Sequence, residues 1–268
     1  MALPYEIAKA FALKWLPQAI VNRLKRSHYL KKVKDISVSD EPDLEIVQRL
    51  VGQGDYVVDL GANIGVYTVF LSRLVTGTGR VYSFEPVATT FSFLDNNVTR
   101  LGLQNVVLRQ AAITDRACRI AMAVPKDEGG AENFYQASVV VPSKERGAER
   151  TVMVDGLPLD EALSTDVGRI TFIKCDVEGH ELHCLQGAIE VISRSRPAWL
   201  MEVGGNPEDR GSNAAAVFSF MSDWGYRVWV FQDRRLEPWT PGVRSVNYLF
   251  LQSEQVDRLR GSSVLIRH

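Results

Sequence analysis

The stretch GDYVVDLGANIGVYTVFLSRL, residues 54–74, decides the fold. Its run YVVDL is short, β-branched and apolar on both alternating faces, as an inner parallel strand is. The run ends in Asp59, passes through Gly61 and Gly65, and continues as VYTVFLSRLV with apolar residues at helical spacing. A strand, a glycine turn and a helix in that order form the first half of a βαβ unit. In open α/β sheets a ligand sits just beyond the carboxyl ends of the strands. Glycine at such a turn lets the ligand approach the backbone, and the first free N–H groups of the helix point at it.

Outward from this unit the alternation continues. RVYSFEP and VVLRQAAI read as strands around the helix TTFSFLDNNVTRLG, and ITFIKC precedes the helix EGHELHCLQGAIEVISRS. AWLMEV, the helix AAAVFSFMSDWG, and the strands YRVWVF and NYLFLQ complete the chain. Strands alternating with helices mean a doubly wound, mostly parallel α/β sheet. The last two strands lack an intervening helix, which predicts an antiparallel strand at the sheet edge. Residues 116–160 break the alternation and read as a hairpin or loop inserted between the third and fourth parallel strands, where insertions shape substrate access. The organisation expected is a basic helical arm over 1–45 and one α/β domain over 46–268.

The chain has 268 residues, 46% hydrophobic and 24% charged, with a formal charge of −1. That is an ordinary globular composition, without the clustered basic excess that nucleic-acid binding calls for. Its three cysteines, Cys118, Cys175 and Cys184, have neither an even count nor a CxxC spacing. They argue against a disulfide framework and a zinc site, and a reducing cytoplasm fits them. Residues 1–34 carry eight Lys or Arg against the single acid Glu6, with Ile7, Phe11, Ile20, Val21 and Leu24 on an apolar side. This is an amphipathic arm broken at Pro17, which serves either as a helical cap or as a peripheral contact with the inner face of a membrane. It lacks the uninterrupted apolar core of a signal peptide, and no window approaches the roughly 18 apolar residues of a membrane span.

A dinucleotide site wants G-x-G-x-x-G, but from Gly61 onward Asn63 and Val66 hold the second and third glycine places. No Gly-Lys-Ser/Thr follows, so a P-loop fails as well. S-adenosylmethionine, which has no phosphates, asks less of glycine and instead needs an acid at the end of the second strand for the two ribose hydroxyls. Glu85 stands there, 26 residues after Asp59. A carboxylate only accepts, so it can take both hydroxyls at once. The cofactor set expected is Asp59, Gly61, Ala62, Asn63, Gly65, Thr68, Glu85, Pro86, Ala112 and Asp176, with Val87, Gln110 and Ala111 beside the adenine. Each has a plainer use: glycines make turns, acids cap helices, and a first-turn Thr bonds its own backbone.

The fourth strand ends in IKCDVEGHE. Methyl transfer to an alcohol is an in-line displacement that also needs a base. Asp176, Glu178 and His180 are the catalytic candidates, His180 by its natural pKa and the carboxylates if desolvated. Asp176 and Glu202, at adjacent strand ends, are candidates to hold Mg²⁺, a hard cation that prefers carboxylate oxygen.

These motifs taken together resemble the FkbM-type family of class I S-adenosylmethionine methyltransferases. The resemblance rests on VVDLGANIGVYTVFLSR, VYSFEPVATTFSFLDNNV, QAAITD, IKCDVEGHELHCLQGA and the strand ending MEVGG, over roughly residues 50–205. It implies a seven-stranded Rossmann-like methyltransferase sheet and O-methylation of a sugar of a glycan or of a secondary metabolite. It also implies cofactor roles for Asp59, Gly61, Asn63, Gly65 and Glu85. Two other readings stay open: a nicotinamide-dependent oxidoreductase, and a catalytically silent cofactor-binding module.

Overall fold

The computed structural model describes residues 18–125, 137–139, 150–163, 167–260 and 265–266. Pro17 and the apolar start of the arm lie outside them, as do KDEGGAEN and most of VPSKERGAER in the 116–160 segment.

Nine strands form the main sheet. They are β1 (Tyr56–Leu60), β2 (Arg80–Phe84), β3 (Val106–Arg109), β8 (Ile170–Cys175), β9 (Ala198–Glu202), β10 (Arg227–Gln232), β11 (Arg235–Pro238), β12 (Asn247–Leu251) and β13 (Leu265–Ile266). Their order across the sheet is β13-β11-β10-β12-β9-β8-β1-β2-β3. Strands β3, β2, β1, β8 and β9 run parallel, and the order reverses between β1 and β8. Within this sheet lies the seven-stranded doubly wound pattern expected, with two short additions at one end. One detail differs from expectation. The antiparallel strand β12 is not at the edge but lies between β9 and β10, pairing antiparallel with both. Burial explains it: Leu249 and Leu251 face one core while Tyr248 and Phe250 face the other, all 1% exposed or less. A strand apolar on both faces belongs inside a sheet.

Helices cover both faces: α1 (Gln18–Lys34), α2 (Leu44–Leu50), α3 (Val66–Val75), α4 (Ala88–Arg100), α5 (Leu159–Ala162), α6 (Glu181–Gln186), α7 (Ile189–Ser195), α8 (Asn213–Asp223) and α9 (Ser253–Arg260). The arm helix α1 packs on α3 and α4, where Val33 meets Ile64, Val69 and Phe93. The single helix expected after β8 is two, α6 and α7. Gly187 separates them at a point where a Cβ would collide with the carbonyl of Thr114. Asp160 then caps the second helix, accepting from the N–H groups of Glu190 and Val191 at 2.9 and 3.0 Å.

The 116–160 segment supplies β5 (Cys118–Val124), β6 (Ser138–Val139) and β7 (Arg150–Leu157), which join β4 (Ala112–Ile113) in a second sheet of order β4-β7-β5-β6. Strands β5 and β7 form the hairpin expected. Ile120, Met122, Val124, Ala137 and Val154 bury its inner face against Val87 and Ala112. The run VVLRQAAI therefore serves both sheets, as β3 in one and β4 in the other. Among the described residues no helix is long and apolar enough to cross a membrane.

Candidate active site

The turn after β1 is built by glycine where no other residue fits. Gly61 has φ +77, and a Cβ there would collide with the carbonyl of Asp176. The Asp176 N–H in turn donates to the Leu60 carbonyl at 3.0 Å. Gly65, at φ +94, leads into α3, and a Cβ on it would meet Leu94 at 2.7 Å. Between them Asn63 takes φ 53, a left-handed value that Asn tolerates better than most residues.

Two cavities flank this turn and share Gly61, Asn63 and Asp176. The first opens between the carboxyl ends of β1, β2 and β8 and the inserted sheet. Its walls bring together Glu85, Pro86 and Ala112 from the expected cofactor set with Glu178 and His180 from the catalytic set. The inserted sheet adds Met122, Ala137 and Val139, a wall the sequence did not announce. The second cavity takes in Asp59, Ala62, Lys32, Glu41, Tyr67 and Lys174.

Glu85 is 6% exposed, and each of its oxygens already accepts one backbone N–H: Oε2 from Asn63 at 3.0 Å and Oε1 from Val87 at 2.9 Å. The carboxyl plane is thereby fixed, and one lone pair per oxygen remains for a diol. Burial raises its pKa to about 7 against the pull of those two hydrogen bonds. Asp59 is likewise raised by burial to about 6, with the Thr68 hydroxyl donating to it at 2.6 Å. Thr68 corrects one expectation. It is fully buried, bonds Asp59 and Ser83, and lines neither cavity, so it positions the acid rather than touching a ligand. Gly65 also stands behind the lining, a turn residue.

Asn63 Oδ1 and Tyr67 Oη are buried without a hydrogen-bond partner among the described residues. Both belong to the second cavity, and buried polar atoms without partners call for a polar ligand. Beside them Lys174, 2% exposed, places Nζ 3.1 Å from Asn247 Oδ1, 3.8 Å from Asp176 Oδ2 and 5.2 Å over the Tyr67 ring. Lys32, Tyr67, Glu41 and the burial of Lys174 were missing from the sequence reading, since only tertiary packing delivers them to this turn.

Glu178 has φ 53 at the rim, and partial burial, then Asp176, Glu202 and Glu181, raise its pKa to about 6. His180 is pushed down to about 4 by burial and by the stacked ring of His183, 4.3 Å away. The Thr114 hydroxyl donates to Asp115 Oδ1 at 3.0 Å, so it must accept from His180 Nε2–H, also at 3.0 Å. This assigns the tautomer and leaves Nδ1 with the lone pair. Asp176 and Glu202 end adjacent strands, but the cation beside Asp176 is Lys174, and among the described residues no group of three or more His, Cys, Asp or Glu is placed to hold a metal.

A sheet reversing at β1/β8, an acid ending β2 and a buried antiparallel strand beside β9 define the Rossmann-like methyltransferase fold. Residues 59–228, more than half of the chain, match the family described as the methyltransferase FkbM domain, and the chain belongs to that family. It is similar to Methyltransferase 1 of Beauveria bassiana (strain ARSEF 2860), at 24% identity over 49% of this chain and 57% of that protein. A crystal structure of methyltransferase FkbM from Methylobacillus flagellatus KT is 21% identical, with a TM-score of 0.48 over 74% of this chain and 43% of its own. The chain thus spans about half the length of each of these relatives. A SAM-dependent methyltransferase from Aquifex aeolicus is 18% identical, with a TM-score of 0.44 over 82% of this chain and 95% of its own.

Proposed function

We propose that the protein is an S-adenosylmethionine-dependent O-methyltransferase whose acceptor is a hydroxyl of a sugar, glycan or metabolite. One observation carries the reading: a single cavity joins a rigidly held diol acceptor, Glu85, to the carboxylates and imidazole that follow β8. In this arrangement Glu85 would accept the donor's two ribose hydroxyls, and Pro86, Val87, Ala112 and Met122 would flank its adenine. The amino-acid end of the donor satisfies Asn63 Oδ1 and Tyr67 Oη. Glu178, with a pKa of about 6, is ionised at neutral pH yet basic enough to take the acceptor's proton. Neutral His180 accepts a hydrogen bond at Nδ1 and orients that hydroxyl. The exposed Ile20 and Leu24 of α1, set among Arg23, Arg26 and Lys31, favour an acceptor presented at an anionic membrane surface.

Calorimetric titration with S-adenosylhomocysteine, with NAD in parallel, tests the donor half. Saturable binding of the former alone is expected. Binding of NAD alone would return the site to a hydride-transfer enzyme, and donor binding with no turnover on any hydroxyl acceptor would leave a silent binding module.

A further inference from the structure

At the opposite end of the sheet, four arginines from four separate segments line one shallow concavity. Arg49 comes from the last turn of α2, Arg169 from the residue before β8, Arg196 from the end of α7 and Arg258 from α9. Thr171 and Gln255 complete the polar lining, and no carboxylate belongs to it. The strand β8, six residues at ~3.3 Å each, puts about 20 Å between this concavity and Asp176. A ligand here is distinct from one in the methyl-transfer cavity.

The arginines are held rather than loose. Arg169 Nε donates to the Ser195 carbonyl at 3.1 Å, which orients the guanidinium and keeps its two terminal nitrogens for something else. Arg196 sits in the left-handed region, φ 46 and ψ 56, and its carbonyl accepts from Gln255 Nε2 at 2.8 Å. Gln255, 9% exposed, thus ties α9 to the end of α7, and Arg258 follows it by one helical turn on the same face. The nearest acid, Glu45, is shared: it lies 3.5 Å from Arg49 and 2.8 Å from Arg234. Among the described residues no carboxylate forms an ion pair with Arg169, Arg196 or Arg258. Arg169, Arg196 and Arg258, gathered without a carboxylate ion pair among the described residues, repel one another, and an anion relieves that repulsion. Guanidinium forks from several directions match the oxygens of a phosphate, each able to bond two of them.

We propose that this concavity is a second ligand site, which binds a phosphate-bearing anion independently of methyl transfer. The exposure of Arg169, Arg196 and Arg258 leaves their guanidinium groups open to a ligand arriving from solvent.

The test is titration of the full chain with pyrophosphate and with inorganic phosphate at constant ionic strength, read by calorimetry and by the thermal unfolding midpoint. Sedimentation with phosphatidylcholine vesicles, with and without phosphatidic acid, runs alongside. Saturable pyrophosphate binding, weakened at least tenfold in Arg169→Gln/Arg258→Gln, supports the site with a soluble ligand. Capture only by the phosphatidic acid vesicles, lost in the same variant, supports it with the phosphate on a lipid. Arg258→Gln alone, on an exposed helix face, keeps the test valid if the double variant does not fold, and circular dichroism verifies each fold. Binding that persists unchanged in the variants, or no saturable binding of either phosphate and no vesicle capture, overturns the proposal.

Discussion

The proposed reaction gives Glu85 and Glu178 different tasks, and their surroundings differ accordingly. Glu85 is wanted as a fixed acceptor, and two backbone N–H groups hold it. Replacing it with Gln puts an NH₂ against one of those donors and removes a charged acceptor, so affinity for S-adenosylhomocysteine is expected to fall by roughly 10- to 100-fold, the ~1.5–3 kcal/mol of a charged hydrogen bond. Calorimetry measures it. Glu178→Gln is expected to leave that affinity unchanged and lower kcat by roughly 10²-fold or more. The wild-type rate should decline as pH falls through about 6, where Glu178 takes up a proton, and the variant should lose that limb. His180→Gln should cost less, because an imidazole with a pKa of about 4 is an orienting acceptor more than a base. These residues were legible in the sequence because parallel sheets concentrate chemistry at strand ends, and DLGANIG, FEP and CDVEGHE each follow a strand. Less legible was the setting of Thr68: three residues after Gly65, its hydroxyl bonds Asp59 and Ser83 beneath the turn.

At the scale of elements, the turn after β1 and the turn after β8 lie against each other. Gly61→Ala adds a Cβ at φ +77 into the Asp176 carbonyl, combining left-handed strain with overpacking. The expected loss is about 2–5 kcal/mol in urea unfolding. Gly179→Ala is the control. Its φ is +94, but no atom lies within 4 Å of the added carbon, so only the backbone strain of about 1–2 kcal/mol is expected. Equal losses would mean that the contact between the turns is unimportant. Elements were less legible than residues wherever tertiary packing overrode a local pattern. The helical periodicity of ELHCLQGAIEVIS runs through Gly187 without a pause, and only the approach of Thr114 splits it. The position of β12 inside the sheet depends on its neighbours, which a run of alternating residues does not name.

For the whole molecule, burying so many acids around one ligand region makes stability depend on pH. Asp59 and Glu85 have ordinary values of 3.8 and 4.5 and native ones of about 6 and about 7. The native state therefore holds protons that the unfolded chain has released. Their contribution is whole below the ordinary values and is lost as pH climbs through about 6 and then 7. Glu41, Asp43, Glu181 and Glu202 are raised too, each chiefly by burial. His180 opposes them. Unfolded, it binds a proton near 6.5, which the native state refuses until about 4, so its contribution is lost as pH falls through that interval. Above 6.5 the imidazole is neutral in both states and only the acids remain. The ligand-free unfolding midpoint is thus expected to drop between pH 6.5 and 8, as differential scanning calorimetry will register, and Glu85→Gln should flatten the drop.

The contact of Gly61 with the Asp176 backbone also bears on motion. It fastens the turn after β1 to the turn after β8, so the proposed donor site and the proposed base are expected to move as one piece. Relative movement at the cavity is then expected of its other wall, the small sheet that carries Met122 and Val139.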